Sequence, residues 1–160
     1  MISRRKFLSA GFLSSVIFIT NGCELFSATT PKETLSILQN DLFPHSKKMG
    51  IDVKKYMQIV LKHSKISSAD KEFIKNGIKW LNEEAVLLYD TTYVKLSASK
   101  RQKVLNSISK TAWGEDFIHD NLTYIMEASF SDPIYGVADG QGWQWLEFKT
   151  GLPRPKEMLL

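Results

Sequence analysis

Three histidines, His45, His63 and His119, are the first residues to weigh for chemistry in this chain of 160 residues. Of these, His119 has a partner at useful spacing. Glu115 stands four residues before it, so on a helix the two share a face and could grip one metal ion, but such a pair supplies half a coordination sphere. Asp116 and Asp120 add carboxylates of the kind common in a first helical turn. The adjacent acids Glu83-Glu84 and Glu115-Asp116 point in different directions on a helix, which suits a solvated surface better than paired acid–base work. No serine sits in a Gly-x-Ser-x-Gly elbow. Cys23 is the single cysteine, so the chain can build no internal disulfide, no Cys-type zinc site and no iron–sulfur site, and it has no Cys-x-x-Cys-His run for haem. These spacings predict no catalytic, metal-ligating or cofactor-binding residue in the chain.

The glycine-rich stretch "YGVADGQGW" (residues 135–143) does not have Gly-x-Gly-x-x-Gly spacing. No strand pattern precedes it, no clear helix pattern follows it, and it lacks a P-loop lysine, so it is not read as a nucleotide cradle. Two readings remain. Asp139-Gly140 and Gln141-Gly142 are ordinary turn chemistry. Alternatively the glycines admit another protein's backbone, and Tyr135, Trp143 and Trp145 anchor it, as aromatic residues do at binding hot spots. Composition alone does not separate aromatic core from aromatic interface.

The elements that would carry these residues follow from periodicity. In residues 30–44, Thr30 can cap, Pro31 suits the first helical position, Glu33 completes a capping box, and Leu35, Leu38 and Leu42 form one stripe. Pro44 is expected to end that helix. After Gly50, Asp52 caps a second helix with Val53, Tyr56, Met57, Val60 and Leu61 inward. Ser67 and Asp70 resemble a capping box for the longest helix, about 22 residues, whose face is Ile74, Ile78, Leu81, Ala85 and Leu88. Gly77 within it predicts close helix packing. A fourth helix turns Val104, Leu105 and Ile108 inward, and Gly114 is expected to separate it from a fifth with Ile118, Leu122, Ile125 and Met126 on one face. Asp132-Pro133 stops the helical pattern, and no period-2 run predicts a strand. The expected fold is all-α, a small bundle of about five helices, followed by an irregular segment rich in glycine, proline and aromatic residues over 131–155. Residues 31–160 are read as one helical domain with 131–155 as its interface strip, after a linker at 24–30.

Residues 1–23 have a different character. A basic head precedes an apolar run over residues 10–20, too short for a bilayer span of roughly 20 residues but suited to an export signal. "SRRKFL" carries Arg4, Arg5, Phe7 and Leu8 directly before that run and resembles a twin-arginine signal, whose route carries folded proteins. The other reading is an ordinary secretory leader that contains two arginines. "TNGC" places Gly22 before Cys23 and resembles a lipoprotein processing site, though Thr20 and Asn21 are atypical. Acylation of Cys23, cleavage without lipid, and retention as a weak anchor are the three outcomes open to it.

The formal charge of +4 belongs mostly to this leader. Setting aside Arg4, Arg5 and Lys6 leaves 18 basic against 17 acidic residues, a net of +1. A near-neutral domain with dispersed lysines makes no electrostatic case for nucleic acid.

The segment "FSDPIYGVADGQGWQWLEF" (residues 130–148) resembles the C-terminal signature of the gluconate 2-dehydrogenase small-subunit family, subunit 3. Asp132, Pro133, Tyr135, Gly136, Gly142 and Trp143 match it, while Val137 and Ala138 stand where the pattern has glycine and asparagine. "TLSILQNDLFP" (residues 34–44) resembles the family's first helix. The resemblance implies a non-catalytic partner of an FAD-containing large subunit of the glucose–methanol–choline type, with a cytochrome subunit carrying haem c. It also implies a complex in the periplasm, associated with the membrane, whose large subunit crosses the twin-arginine translocase on this chain's signal. Asp132, Pro133, Tyr135, Gly136, Gly142, Trp143 and Trp145 are then the expected partner interface. A stand-alone envelope lipoprotein, acting as a binding or structural module, is the alternative.

Overall fold

The computed structural model describes residues 31–138, 141–149 and 156–157. The export-signal residues Arg4, Arg5, Phe7 and Leu8, the cysteine Cys23, the linker 24–30, the cap Thr30 and the turn Asp139-Gly140 lie outside the described residues, as does most of 150–160. Among the described residues every regular element is a helix and none is a strand.

Helix α1 (Pro31–Leu42) starts with proline at its first position and buries Thr34, Leu35, Leu38 and Gln39. Pro44 ends α1 and immediately begins α2 (Pro44–Lys48), a single turn that the periodicity did not predict. The same ring that blocks a helix interior fits a helix's first position, where no amide partner is needed. Asp52 caps α3 (Val53–Lys62) as expected, its side chain accepting from the Lys55 amide at 2.9 Å. Helix α4 (Ser68–Tyr89) is capped by Ser67, whose hydroxyl accepts from the Asp70 amide at 3.1 Å and donates to the Asp70 carboxylate at 2.7 Å. Its inner face is Ile74, Gly77, Ile78, Leu81 and Ala85; Leu88, expected inward, is exposed near the helix end.

A 3-10 turn (Tyr93–Lys95) leads to α5 (Ala98–Ile108), which buries Val104, Leu105 and Ile108. Gly114 does not divide the last two long helices. The break falls at 109–111, Thr111 caps the next helix by accepting from the Gly114 amide at 3.1 Å, and Gly114 sits inside the first turn of α6 (Ala112–Phe130), close against the Ile108 carbonyl. The buried line of α6 runs through Phe117, Asn121, Ile125, Ala128 and Ser129, so Ile118, Leu122 and Met126 are flanking, half-buried positions.

Helix α6 is the axis of the bundle and packs on α1, α3, α4 and α5. It runs antiparallel to α4: the Phe117 ring sits over Gly77 and beside Phe73, and the Trp113 ring is 5.3 Å from that of Trp80. A side chain at Gly77 would occupy the space of the Phe117 ring, which is the close packing the glycine predicted. Helix α1 is locked at both ends. Thr34 accepts from the Asn82 side chain at 3.3 Å, and Asp41 receives a forked pair from Arg101 at 2.6 and 3.0 Å and the Tyr93 hydroxyl at 2.8 Å. Among the described residues, no helix is long and apolar enough to cross a membrane.

Candidate interaction surface

The residues after α6 turn back along the bundle. Ser131 is buried and its hydroxyl donates to the Ala128 carbonyl at 2.9 Å. Asp132 accepts from the Ile134 amide at 3.0 Å and so caps a second 3-10 turn (Pro133–Tyr135), with Pro133 in its first position. Gly136 closes that turn in the left-handed region at φ 60°. Its carbonyl accepts from Lys55 Nζ at 2.9 Å, and the next carbonyl, that of Val137, accepts from the Asp52 amide at 2.9 Å. The turn is thereby pinned to the start of α3. Val137 and Ala138, the two departures from the expected pattern, are both buried in the core.

Tyr135 is buried as well, in the neighbourhood of Tyr56. The Tyr56 hydroxyl donates to Glu127 at 3.0 Å. Burial, and then the Glu127 carboxylate, hold the Tyr56 phenol well above its ordinary pKa, so it stays a neutral donor linking α3 to α6.

A further helix, α7 (Gln141–Trp145), follows the glycine-rich stretch where the sequence suggested none. Gly142 is buried against the carbonyl of Ser129, so close that a β-carbon there would have no room. That contact seats α7 on the end of α6. Trp143 fixes it: its indole Nε1 donates to the Phe130 carbonyl at 2.9 Å, and its ring lies 5.0 Å from Phe130 and 5.5 Å from Phe148.

Trp145, two residues on, does something different. Its ring lies 6.1 Å from Phe43 and 6.4 Å from His45, at the start of α2, yet it remains 50% exposed. Leu146 is 52% and Phe148 58% exposed. Together they form an outward aromatic knob at one end of the bundle. Exposed large apolar residues also occur at Leu87 and Leu88 of α4, but here three fall within four positions, and clustered exposed apolar side chains are a usual mark of an interaction site.

The seven predicted interface residues therefore divide. Asp132, Pro133, Tyr135, Gly136, Gly142 and Trp143 shape and seat the segment from within, and Trp145 faces outward. The predicted interface did not include Leu146 or Phe148, and α2, which carries His45 beside Trp145, was not predicted. Their signal was the run "WQWLEF", whose apolar residues outnumber what one face of a single helical turn can bury.

The histidines do not converge. His63 ends α3, where its ring nitrogen accepts from the Lys65 amide at 3.1 Å, and His119 is exposed beside Asp120. No group of three or more candidate metal ligands occurs among the described residues. Glu83 reaches toward Lys79 at 3.7 Å while Glu84 accepts from Ser107 at 2.6 Å, so the adjacent acids serve separate faces.

The structure defines a small all-α bundle with an exposed apolar cluster at its α7 end. The profile of gluconate 2-dehydrogenase subunit 3 matches residues 30–151, and the chain belongs to that family, whose members are subunits of a multi-subunit dehydrogenase. No curated protein and no solved structure matches the chain.

Proposed function

We propose that this chain is the non-catalytic small subunit of a membrane-associated, flavin-dependent sugar or sugar-acid dehydrogenase, with gluconate the substrate of the namesake complex. Its partner is an FAD-containing large subunit of the glucose–methanol–choline type, and a cytochrome subunit with haem c accepts the electrons. Both cofactors belong to those partners. The chain assembles with the large subunit in the cytoplasm and lends it the twin-arginine signal of Arg4, Arg5, Phe7 and Leu8. The loaded flavoprotein then crosses the twin-arginine translocase folded and works on the periplasmic side.

The family match over residues 30–151 carries this reading, because it takes in the signature segment that ends in the knob. The leader supports it from the other end of the chain: a large subunit that receives FAD before export must travel folded, and a signal on a tightly bound companion supplies the route.

Deleting this chain is expected to strand the large subunit in the cytoplasm, flavin-loaded and inactive toward periplasmic substrate; fractionation with flavin fluorescence measures it. Normal periplasmic dehydrogenase activity without the chain overturns the reading. Cys23 favours the second reading, a stand-alone envelope lipoprotein: acylation of Cys23 with no flavoprotein co-purifying from solubilised membranes would select it.

A further inference from the structure

Helices α2 and α7 are each five residues long and end in the same way. In α2 the Ile51 amide returns to the Ser46 carbonyl at 3.0 Å and the Gly50 amide to Lys47 at 3.2 Å, with Gly50 at φ 70°. In α7 the Phe148 amide returns to Trp143 at 2.9 Å and the Glu147 amide to Gln144 at 3.0 Å, with Glu147 at φ 54°. This is the Schellman closure, which places one residue in the left-handed region and brings the residue after it onto the helix's last turn. The Phe148 ring against Trp143 is that contact.

Glycine is the residue the closure prefers, and a side chain with a β-carbon is strained there. The other such non-glycine residue among those described is Asp90 at φ 54°, a residue type that tolerates this region. Glutamate has no such excuse. Nor does the Glu147 carboxylate repay the strain within the chain, since it takes part in none of the ion pairs or hydrogen bonds of the described residues.

Its place explains what it is for. Glu147 stands between Leu146 and Phe148 and two residues from Trp145, in the middle of the exposed knob. A protein surface that covers the knob must also strip water from this carboxylate. A buried, unpaired carboxylate cancels the gain from apolar contact, whereas one met by a cation contributes both affinity and register.

Resting on the subunit reading above, we infer that the knob docks in a socket of the FAD-containing large subunit that presents a basic side chain, best an arginine, to Glu147. Arginine suits because its planar fork pairs with a carboxylate and stacks on aromatic rings, and Trp145 and Phe148 flank the site. Lys149 beyond the knob, and Lys48 on the same face of α2 as His45, are exposed. A cation shifted toward Lys149 would meet like charge, which helps to set the register.

The test is co-expression of the full-length chain with its large subunit, affinity capture of the pair, and a binding titration of variants. Glu147→Gly relieves the backbone and removes the carboxylate. It is expected to slow hydrogen exchange at the amides of Leu146 and Phe148 in the isolated chain while weakening capture about 10-fold or more. Glu147→Gln, which keeps the strain, should weaken capture equally with no gain in exchange protection. Capture by Glu147→Gly as tight as by the unsubstituted chain overturns the inference and leaves the subunit reading standing. Failure of the unsubstituted chain to capture the large subunit overturns both. If Trp145→Ala and Phe148→Ala leave capture intact but abolish binding to anionic phospholipid vesicles, or to a second copy of the chain, the knob serves that surface and the inference is overturned.

Discussion

Tyr93 illustrates how much one side chain can hold. It is fully buried, its hydroxyl donates to Asp41, and burial followed by that bond pushes its phenol far above the ordinary value of 10.0, with Arg101 opposing. The folded pKa is raised above the unfolded one, so the stabilisation is whole below about pH 10 and drains away as pH rises beyond it. Tyr93→Phe should cost about 1 kcal/mol near neutral pH, the net worth of one hydrogen bond. The variant's urea midpoint should then fall less steeply than the parent's between about pH 9 and 11. Parallel alkaline slopes for the two proteins would show that another tyrosine governs the transition. Nothing in the sequence singled out Tyr93, because a buried tyrosine and an exposed one look alike in a row of letters. The caps at Asp52 and Ser67 were legible, since their chemistry is local and acts within three residues. The contrast between Trp143 and Trp145 was not: the two are identical in type, and only tertiary contact sends one to the Phe130 carbonyl and the other outward.

Among the elements, the long helices were readable where polar residues interrupt the apolar ones, as in α3 and α4. Helix α6 misled because it is apolar on several sides, with Trp113, Ile118, Leu122 and Met126 around a buried line that includes Asn121 and Ser129. A pattern apolar nearly all round does not declare its phase. Pro44 misled because the signal that stops one helix can start the next. Helix α7 is too short to have a period, and it exists because Gly142 lets it lie on α6. Gly142→Ala should therefore lift α7 without melting the bundle. The expected result is a red-shifted Trp143 emission and faster hydrogen exchange at the amides of Leu146, Glu147 and Phe148, with the main unfolding midpoint nearly unchanged. A single cooperative loss of the whole bundle would instead make α7 part of the core.

For the molecule as a whole, all-helical architecture and family membership were both legible: the first from the absence of alternation, the second from the signature segment. Long-range ties were not. The pairing of Asp41 with Arg101 joins α1 to α5 across 60 positions, with side chains only 10% and 18% exposed. Arg101→Met leaves that carboxylate buried without its cation and should cost about 3 kcal/mol by urea titration, whereas adding Asp41→Asn should recover part of the loss. An Arg101→Met loss below about 1 kcal/mol would mean that solvent already screens the pair. The lock has a mechanical side. Helix α1 is the first element of the bundle, and it packs on α2, α3, α4, α5 and α6. A pull on the residues before Pro31 thus enters at the hub, with Thr34 fastened to Asn82 at the near end and Asp41 to Arg101 at the far end. The load runs along the helix and is shared as shear between two fastenings. A handle on a surface loop would peel helices away one by one; a handle here lifts the bundle intact.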